Sequence, residues 1–227
     1  MRRLIYSLAI MSAFVMISSA KANDVYITQS GANLNANINQ DGTGNKVGTS
    51  GAKVTLDGDA HTLDIDQIGN TNTIAATVEG DTQELKISTT GNNNTATVSV
   101  GDHTDADDVH ITETTVGNSN TTTYNVGKNA GTADVDIDNT ITGSSNTVTI
   151  NEDGTGTTLT DRKTTLTITG DSNTVTSTHT GAGHHNTTLS HTGSSGTFAI
   201  TQDGANATTV DLTTSGANHS VTITSDD

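Results

Sequence analysis

A short turn rich in glycine and asparagine recurs along the chain, and this repeat is the feature that most restricts the fold. We call each copy of Gly-x-x-Asn an arc. The complete arcs begin at Gly69, Gly91, Gly117, Gly143 and Gly170 and end at Asn72, Asn94, Asn120, Asn146 and Asn173. Altered arcs begin at Gly31, Gly48, Gly193 and Gly216. From Gly69 to Gly216 the starts lie 22 to 27 residues apart, a period typical of repeat architectures. Glycine and asparagine tolerate left-handed backbone, so each arc predicts a tight turn.

Both flanks of each arc alternate apolar and polar residues. Leu63 and Ile65 precede one arc, for example, and Ile74, Ala76 and Val78 follow it. Strict alternation over four to eight residues predicts half-buried strands. A second glycine-containing turn separates successive repeats and varies in length, with long copies near 101–108, 127–134 and 151–163. We therefore predict strand, arc, strand and second turn in each repeat, with the arcs on one edge and the length variation on the opposite edge.

The composition fits a thin core. Only 30% of the residues are hydrophobic and 2% are aromatic, too few for an ordinary globular domain. One repeat cannot bury its own apolar face, but stacked repeats can. Two sheets about 10 Å apart need only a few inward residues per strand. The sequence thus predicts an all-β, two-sheeted β-solenoid of about nine strand-arc-strand repeats, forming a single domain over residues 23–227.

The first 22 residues have the pattern of a secretory signal peptide. Arg2 and Arg3 precede an apolar run from Leu4 to Ile17, and Ala20-Lys21-Ala22 resembles a cleavage site. The apolar run is shorter than the roughly 20 residues that a membrane-spanning helix needs. We expect cleavage after Ala22, and a secreted protein located outside the cell or at the surface of a bacterium. We expect no membrane insertion.

Charge and cysteine content exclude several functional classes. The formal net charge is −16, and cleavage after Ala22 would leave six basic and 25 acidic residues, a charge of −19. Such acidity argues against a nucleic-acid partner, which requires a basic surface. The chain has no cysteine, which excludes a disulfide scaffold, a thiolate metal site and a cysteine nucleophile.

Several repeats carry a glutamine two residues before the glycine. Gln29 precedes Gly31, and Gln40 precedes Gly42, which is followed by Asn45. Gln67, Gly69 and Asn72 repeat the phrase Gln-x-Gly-x-x-Asn, and Gln202-x-Gly204 echoes it. In other repeats this position holds Thr89, Thr115, Ile141, Ile168, His191 or Thr214. The pattern resembles the curlin repeat of bacterial curli fibres, most specifically over residues 25–47 and 63–76. This resemblance implies a β-solenoid subunit that stacks end to end into extracellular, amyloid-like fibres of a biofilm matrix.

The ends of the chain also favour assembly. Val25 and Ile27 begin an alternating strand directly after the cleavage site, and Val221 and Ile223 form one at the last residues. No helix, proline or lysine cluster blunts these edges, and uncapped strands pair with other chains. Inward Gln29, Gln40, Gln67 and Gln202 predict side-chain amide ladders of the cross-β type. We expect a homopolymer of the chain with itself, together with a secretion or nucleation partner.

Two other functions are compatible with the sequence. One is a monomeric solenoid that acts as a surface adhesin or surface-layer component. The other is ice binding, because the many Thr-x-Thr runs resemble the flat threonine ladders of solenoidal ice-binding proteins. Outward Asp64, Lys86, His110 and Asp136, however, are expected to interrupt such a ladder.

The ionisable residues provide only weak candidate sites. His179, His184, His185 and His191 are either a divalent-metal site or polar residues of a variable turn. We favour the turn, because no carboxylate or cysteine stands at a spacing that zinc sites use. Asp102, Asp105, Asp107 and Asp108 offer oxygen ligands for calcium, but a solvated acidic loop is the preferred interpretation. The sequence contains none of the common catalytic motifs. We expect no enzymatic activity, no cofactor and no metal.

Overall fold

A computed structural model describes residues 13–17, 24–42, 45–48, 54–69, 71–91, 93–101, 106–117, 119–127, 132–143, 145–154, 162–170, 172–181, 184–193, 195–204, 208–216 and 218–226. Within these residues all regular secondary structure is β-strand. This part of the chain therefore contains no helix with the length and apolar character needed to cross a membrane.

The described strands form two parallel sheets of nine strands each. Sheet A contains β1 Ala13–Ile17, β3 Asn35–Asp41, β5 Thr62–Ile68, β7 Gln83–Thr90, β9 Ala106–Val116, β11 Thr132–Thr142, β13 Arg162–Thr169, β15 His185–Thr192 and β17 Thr208–Ser215. Sheet B contains β2 Thr28–Ser30, β4 Val54–Asp57, β6 Thr73–Glu79, β8 Thr95–Val100, β10 Thr121–Val126, β12 Thr147–Gly154, β14 Asn173–Gly181, β16 Gly196–Asp203 and β18 Ser220–Asp226. Successive strands alternate between the sheets, so each turn of the coil adds one strand to each sheet. The predicted two-sheeted β-solenoid is confirmed.

The core lies between the sheets and consists of columns of residues in register. Ile38, Ile65 and Ile87, for instance, are consecutive members of one column and are almost completely buried. Leu63, Leu85 and Ile111 form the neighbouring column. Alternate residues on the same strands point outward, as the period-two pattern predicts. A few apolar residues per strand therefore suffice to fill the interior.

The arcs lie along one edge, between a sheet A strand and the following sheet B strand. The N–H of Gly117 donates to the carbonyl of Thr142, 3.0 Å away, and other arcs repeat this bond from turn to turn. A Cβ atom on Gly117 would lie 1.5 Å from the carbonyl oxygen of Gly91. The third residue of the arc is left-handed, with φ of 63° at Ser119. Glycine is required here by both the close stacking and the backbone angle, and the predicted single edge of arcs is confirmed for these copies.

Gly31 departs from this arrangement. It follows a sheet B strand, and its N–H donates to the carbonyl of Asp57. A Cβ atom on Gly58 would lie 2.5 Å from the Gly31 oxygen, and Gly80 stacks on Gly58 in the same way. Gly31 therefore belongs to the opposite edge, and its prediction as an arc is wrong, because glycine serves the corners of both edges. The prediction of an arc at Gly48 is also wrong, because the arc of this turn runs from Gly42 to Asn45, Gly69 stacks on Gly42, and Lys46 already pairs with Thr73 of sheet B. Residues 49–53 lie outside the described residues.

The predicted long loops are shorter than expected where they are described. The second turns lie between sheet B strands and the next sheet A strands, which is the edge opposite the arcs. Residues 106–108 and 132–134 belong to β9 and β11 rather than to loops. Asp108 and Asp134, with φ of 54° and 50°, occupy facing positions where the pairing of these strands is locally broken while its register stays constant, and aspartate tolerates such angles. Residues 102–105, 128–131 and 155–161 lie outside the described residues.

Part of the predicted signal peptide forms the first strand of sheet A. β1 pairs in parallel with β3, with Val15 opposite Ile38 and Ile17 opposite Gln40. In the chain that carries this segment, β1 rather than β3 is the edge of sheet A.

Candidate functional site

The C-terminal end of the solenoid is open. β17 and β18 are the last strands of their sheets, and no described strand covers either one. Val221 and Ile223 are 43% and 47% exposed, whereas Phe198 and Ile200, the preceding residues of the same columns, are each 1% exposed. The end therefore presents an apolar surface and a free row of backbone hydrogen-bonding groups.

The N-terminal end of sheet B is open in the same way. β2 is the edge strand, and the partly buried Val25 and Ile27 pack against the core. The N–H of Thr55 donates to the carbonyl of Ile27, which places Ile27 in the column that ends at Ile223. Sheet B thus ends on both sides in a strand whose inward side chains belong to the same columns. Of the predicted assembly residues, Ile27 and Ile223 are thus shown to belong to one column.

The predicted amide ladder forms in one pair of turns. Gln40 and Gln67 are buried in one column, and Nε2 of Gln67 donates to Oε1 of Gln40 over 2.8 Å. Nε2 of Gln40 donates to the carbonyl of Lys46. Gln29 and Gln202 instead lie in sheet B, in a different column. The ladder therefore covers two turns, and the column continues with Thr89 and Thr115.

The arc asparagines close their own turns. Nδ2 of Asn120, Asn146 and Asn173 donates to the carbonyl of the glycine three residues earlier, at 3.2, 3.1 and 3.1 Å. Nδ2 of Asn45 and Asn72 donates instead to the backbone carbonyls of Gln40 and Gln67, respectively. These buried side chains satisfy backbone groups at the corner, so their role is structural.

A buried carboxyl group in the middle of the rod escaped the sequence analysis. Glu113 is 1% exposed, and it accepts hydrogen bonds from Thr115, Thr122 and Tyr124 at 2.8, 2.9 and 2.6 Å. Burial raises the pKa of Glu113 above its usual value, and this effect outweighs the three hydrogen bonds. Burial and the nearby carboxylate also raise the pKa of Tyr124 well above its usual value.

A second buried cluster, which we call the Glu-His cluster, consists of Glu152, His179 and His185. Oε2 of Glu152 lies 2.7 Å from Nδ1 of His179 and 3.3 Å from Nδ1 of His185. All three side chains are at most 3% exposed. Burial alone would raise the pKa of Glu152, but the charge of His179 and hydrogen bonds from both histidines and Thr164 hold it well below its usual value.

The Glu-His cluster corrects the prediction that no carboxylate accompanies the histidines. Glu152 precedes His179 by 27 residues and is in register with it, one turn earlier. The other two histidines lie elsewhere. His184 is exposed, and His191 contacts Phe198 and His219 at the arc edge, with ring centroids 4.8 and 4.9 Å away. The four histidines thus do not form one group.

The predicted calcium ligands cannot be placed together. Asp102 and Asp105, and the side chain of Asp107, lie outside the described residues, and Asp108 is exposed. Comparison of the chain with known protein families, curated proteins and solved structures found no match.

Replacing each of the two buried carboxyl groups by a neutral amide should change the stability of the protein to very different extents. The pKa of Glu152 is lower in the folded protein than in the unfolded chain, so its stabilisation is complete above its ordinary value of 4.5 and is lost as the pH falls below it. We expect Glu152→Gln to lower the free energy of unfolding at pH 7 by about 3 kcal/mol, because it breaks a buried ion pair. Urea denaturation from pH 3 to 7 measures this, and the variant should show less loss of stability in acid.

Glu113→Gln is the matched control for that experiment. The raised pKa of Glu113 means that folding favours its protonated form, which an amide imitates. The free energy of unfolding at pH 7 should therefore change by less than about 1 kcal/mol. Equal losses in the two variants would contradict the assignment of the ion pair to Glu152.

Proposed function

We propose that the protein is a structural subunit of an extracellular, curli-like fibre and that copies join end to end by β-strand stacking. The observation that carries this proposal is the uncapped β18, whose half-exposed Val221 and Ile223 continue columns that are buried in the preceding turn. Placing β2 of a second copy on β18 would set Ile27 over Ile223 and bury both. The curlin-like glutamine and glycine pattern supports the same function.

Sheet A imposes a condition on this junction. Because strands alternate between the sheets, β3 follows β2 half a turn later. With β2 of the incoming copy on β18, β3 would lie two strand spacings, about 9.6 Å, from β17. In the full chain β1 occupies the strand position before β3. After cleavage at Ala22, one strand position in sheet A would be open at each junction, and a secretion or nucleation partner is suited to fill it.

Electron microscopy and circular dichroism test the proposal. A chain beginning at Asn23 and a chain retaining residues 1–22 are both incubated at high concentration and moderate salt. We expect fibres with strands perpendicular to the fibre axis from at least one of them. A folded protein that remains monomeric for days in both forms would contradict the fibre, and a monomeric surface adhesin would take its place.

The outward face of sheet B favours a second candidate function. Two of its outward columns are formed by threonines in register over β8, β10, β12, β14 and β16: Thr95, Thr121, Thr147, Thr174 and Thr197 in one, and Thr97, Thr123, Thr149 and Thr176 in the other. The spacing is about 4.8 Å between strands and about 6.7 Å along each strand. The residues expected to interrupt the ladder, Asp64, Lys86, His110 and Asp136, all lie in sheet A. We infer that this threonine face is suited to an ordered surface such as ice.

Thr149→Lys tests the threonine face. The substitution places a long charged side chain in the centre of a flat array, so inhibition of ice recrystallisation should be lost. Thr165→Lys is the control, because Thr165 is also half-buried but points outward from sheet A. Absence of inhibition by the unsubstituted protein would reject ice binding, while fibre growth, which uses the ends of the rod, should be the same in all three proteins.

A further inference from the structure

The Glu-His cluster offers three metal-binding atoms at one point in the interior. Oε2 of Glu152 and the Nδ1 atoms of His179 and His185 all lie within 4.8 Å of one another. They come from β12 and β14 of sheet B and β15 of sheet A, which belong to three successive turns of the coil. Two imidazoles and one carboxylate are a donor set that zinc accepts in proteins.

Surrounding hydroxyl groups orient these donors. Nε2 of His179 lies 2.7 Å from Oγ of Ser177 and 2.9 Å from Oγ1 of Thr187. Oε1 of Glu152 accepts a hydrogen bond of 2.9 Å from Thr164. Metal-binding histidines and carboxylates in proteins are fixed in this manner by partners on their far atoms. The contacts leave Nδ1 of His179 and Oε2 of Glu152 directed at each other.

Clefts on both faces of the rod lie beside the Glu-His cluster. A cleft of about 300 Å³ is lined by Asp136, Arg162, Lys163 and His185 on the sheet A side. A cleft of about 290 Å³ is lined by Asn125, Asn151, Glu152 and Asp153 on the sheet B side. The buried Nε2 atom of His185 has no hydrogen-bond partner within the described part of the chain. Hydrogen bonds therefore constrain the ring of this histidine less than that of His179.

The charges permit a cation despite a neighbouring guanidinium group. Arg162 is buried and interacts electrostatically with Glu152 and Asp153. Two carboxylates thus face one arginine, and one of them, Glu152, lies in the cluster. A divalent ion at this point would take the place of the direct contact between Glu152 and His179.

We propose that Glu152, His179 and His185 form a zinc-type divalent-metal site that joins three turns of the solenoid. Zinc bonds of about 2.05 Å in a tetrahedron place ligand atoms about 3.3 Å apart. The separation of Glu152 and His185 already has this value, and that of Glu152 and His179 needs to lengthen by about 0.6 Å. A water molecule would complete the tetrahedron as the fourth ligand. The site lies in the interior and does not depend on whether the protein forms fibres.

Titration of the untagged, EDTA-treated full chain with zinc chloride tests the site. Calorimetry should give one site per chain, and cobalt chloride should produce the visible absorption of a tetrahedral ion. Zinc should also raise the melting temperature, because it binds the folded state. Glu152→Gln, His179→Asn and His185→Asn should each weaken binding at least tenfold.

Two matched controls distinguish the site from the general effect of changing a buried polar residue. Within the described part of the chain, the buried carboxyl group altered by Glu113→Gln has only hydroxyl partners, and the buried histidine altered by His191→Asn has no carboxylate partner. Both should bind zinc within twofold of the unsubstituted chain. His185→Cys, which keeps a ligand in place, should add a thiolate-to-cobalt charge-transfer band. No zinc binding, equal weakening in the controls, or absence of that band in folded His185→Cys would overturn the proposal, leaving a buried ion pair.

Discussion

Fibre elongation should slow by at least 100-fold when Ile223 is replaced by lysine. Ile223 is half-exposed on β18 and, in the proposed junction, becomes an interior member of its column. An inward charge on an edge strand is a natural protection against pairing. Burying an unpaired ammonium group costs several kcal/mol, and each 1.4 kcal/mol reduces association tenfold. Light scattering of seeded growth, followed by electron microscopy, measures the effect.

Ile68→Lys is the control for this prediction. Ile68 is 51% exposed, close to the 47% of Ile223, but it lies on the outward side of β5, which is not an edge strand of sheet A. Its replacement adds the same charge to the chain without touching either end, so growth should remain normal. If Ile223→Lys grows as fast as Ile68→Lys, the C-terminal strand is not part of the junction.

The solenoid could be predicted from the sequence because each turn repeats the same local requirements. The corner at Gly117 needs a left-handed backbone without a Cβ atom, and the strands beside it need alternation. Both requirements recur in the sequence from turn to turn, so the pattern itself predicts which strands stack on each other. The prediction is wrong at Gly31 because turns on both edges of the solenoid need glycine. The glycine motif alone therefore does not show on which edge a turn lies.

The Glu-His cluster could not be predicted because it depends on register across turns of unequal length. Glu152 lies opposite His179 only if the segment between them, which contains a second turn and an arc, has a particular length. The sequence leaves the length of each second turn undefined, so the column that receives each inward side chain is fixed only by the structure. His191, equally close in sequence to His185, lies in another column of the same strand and contacts Phe198 instead.

The sequence contains a pattern that predicts the threonine face. The outward residues Asp64, Lys86, His110 and Asp136 all precede arcs, whereas Thr95, Thr121 and Thr147 directly follow them. Because strands before and after an arc belong to different sheets, separating the outward residues by their side of the arc predicts one charged face and one threonine face. The difference between the two faces is not visible when the outward residues before and after the arcs are considered as one set.

Gly117→Ala should destabilise the rod by more than about 4 kcal/mol, a loss seen only with severe defects. The added methyl group would lie 1.5 Å from the carbonyl oxygen of Gly91, and φ is +147°. The backbone at Gly117 cannot move away from Gly91 without breaking the hydrogen bond from the Gly117 N–H to the carbonyl of Thr142. Since each turn of a solenoid contacts only its neighbours, the defect should separate the rod into two weaker parts. Urea denaturation measures the loss, and hydrogen exchange should show reduced protection in β9 and β10.

Gly31→Ala separates crowding from backbone strain. Gly31 also has positive φ, +102°, but no atom lies within 4 Å of the position of an added Cβ. Strain alone should cost about 1 to 2 kcal/mol. The difference between the two variants is then the contribution of stacking between adjacent arcs. Similar losses at Gly31 and Gly117 would mean that backbone angle, rather than the close approach of successive turns, is the reason for glycine at the arcs.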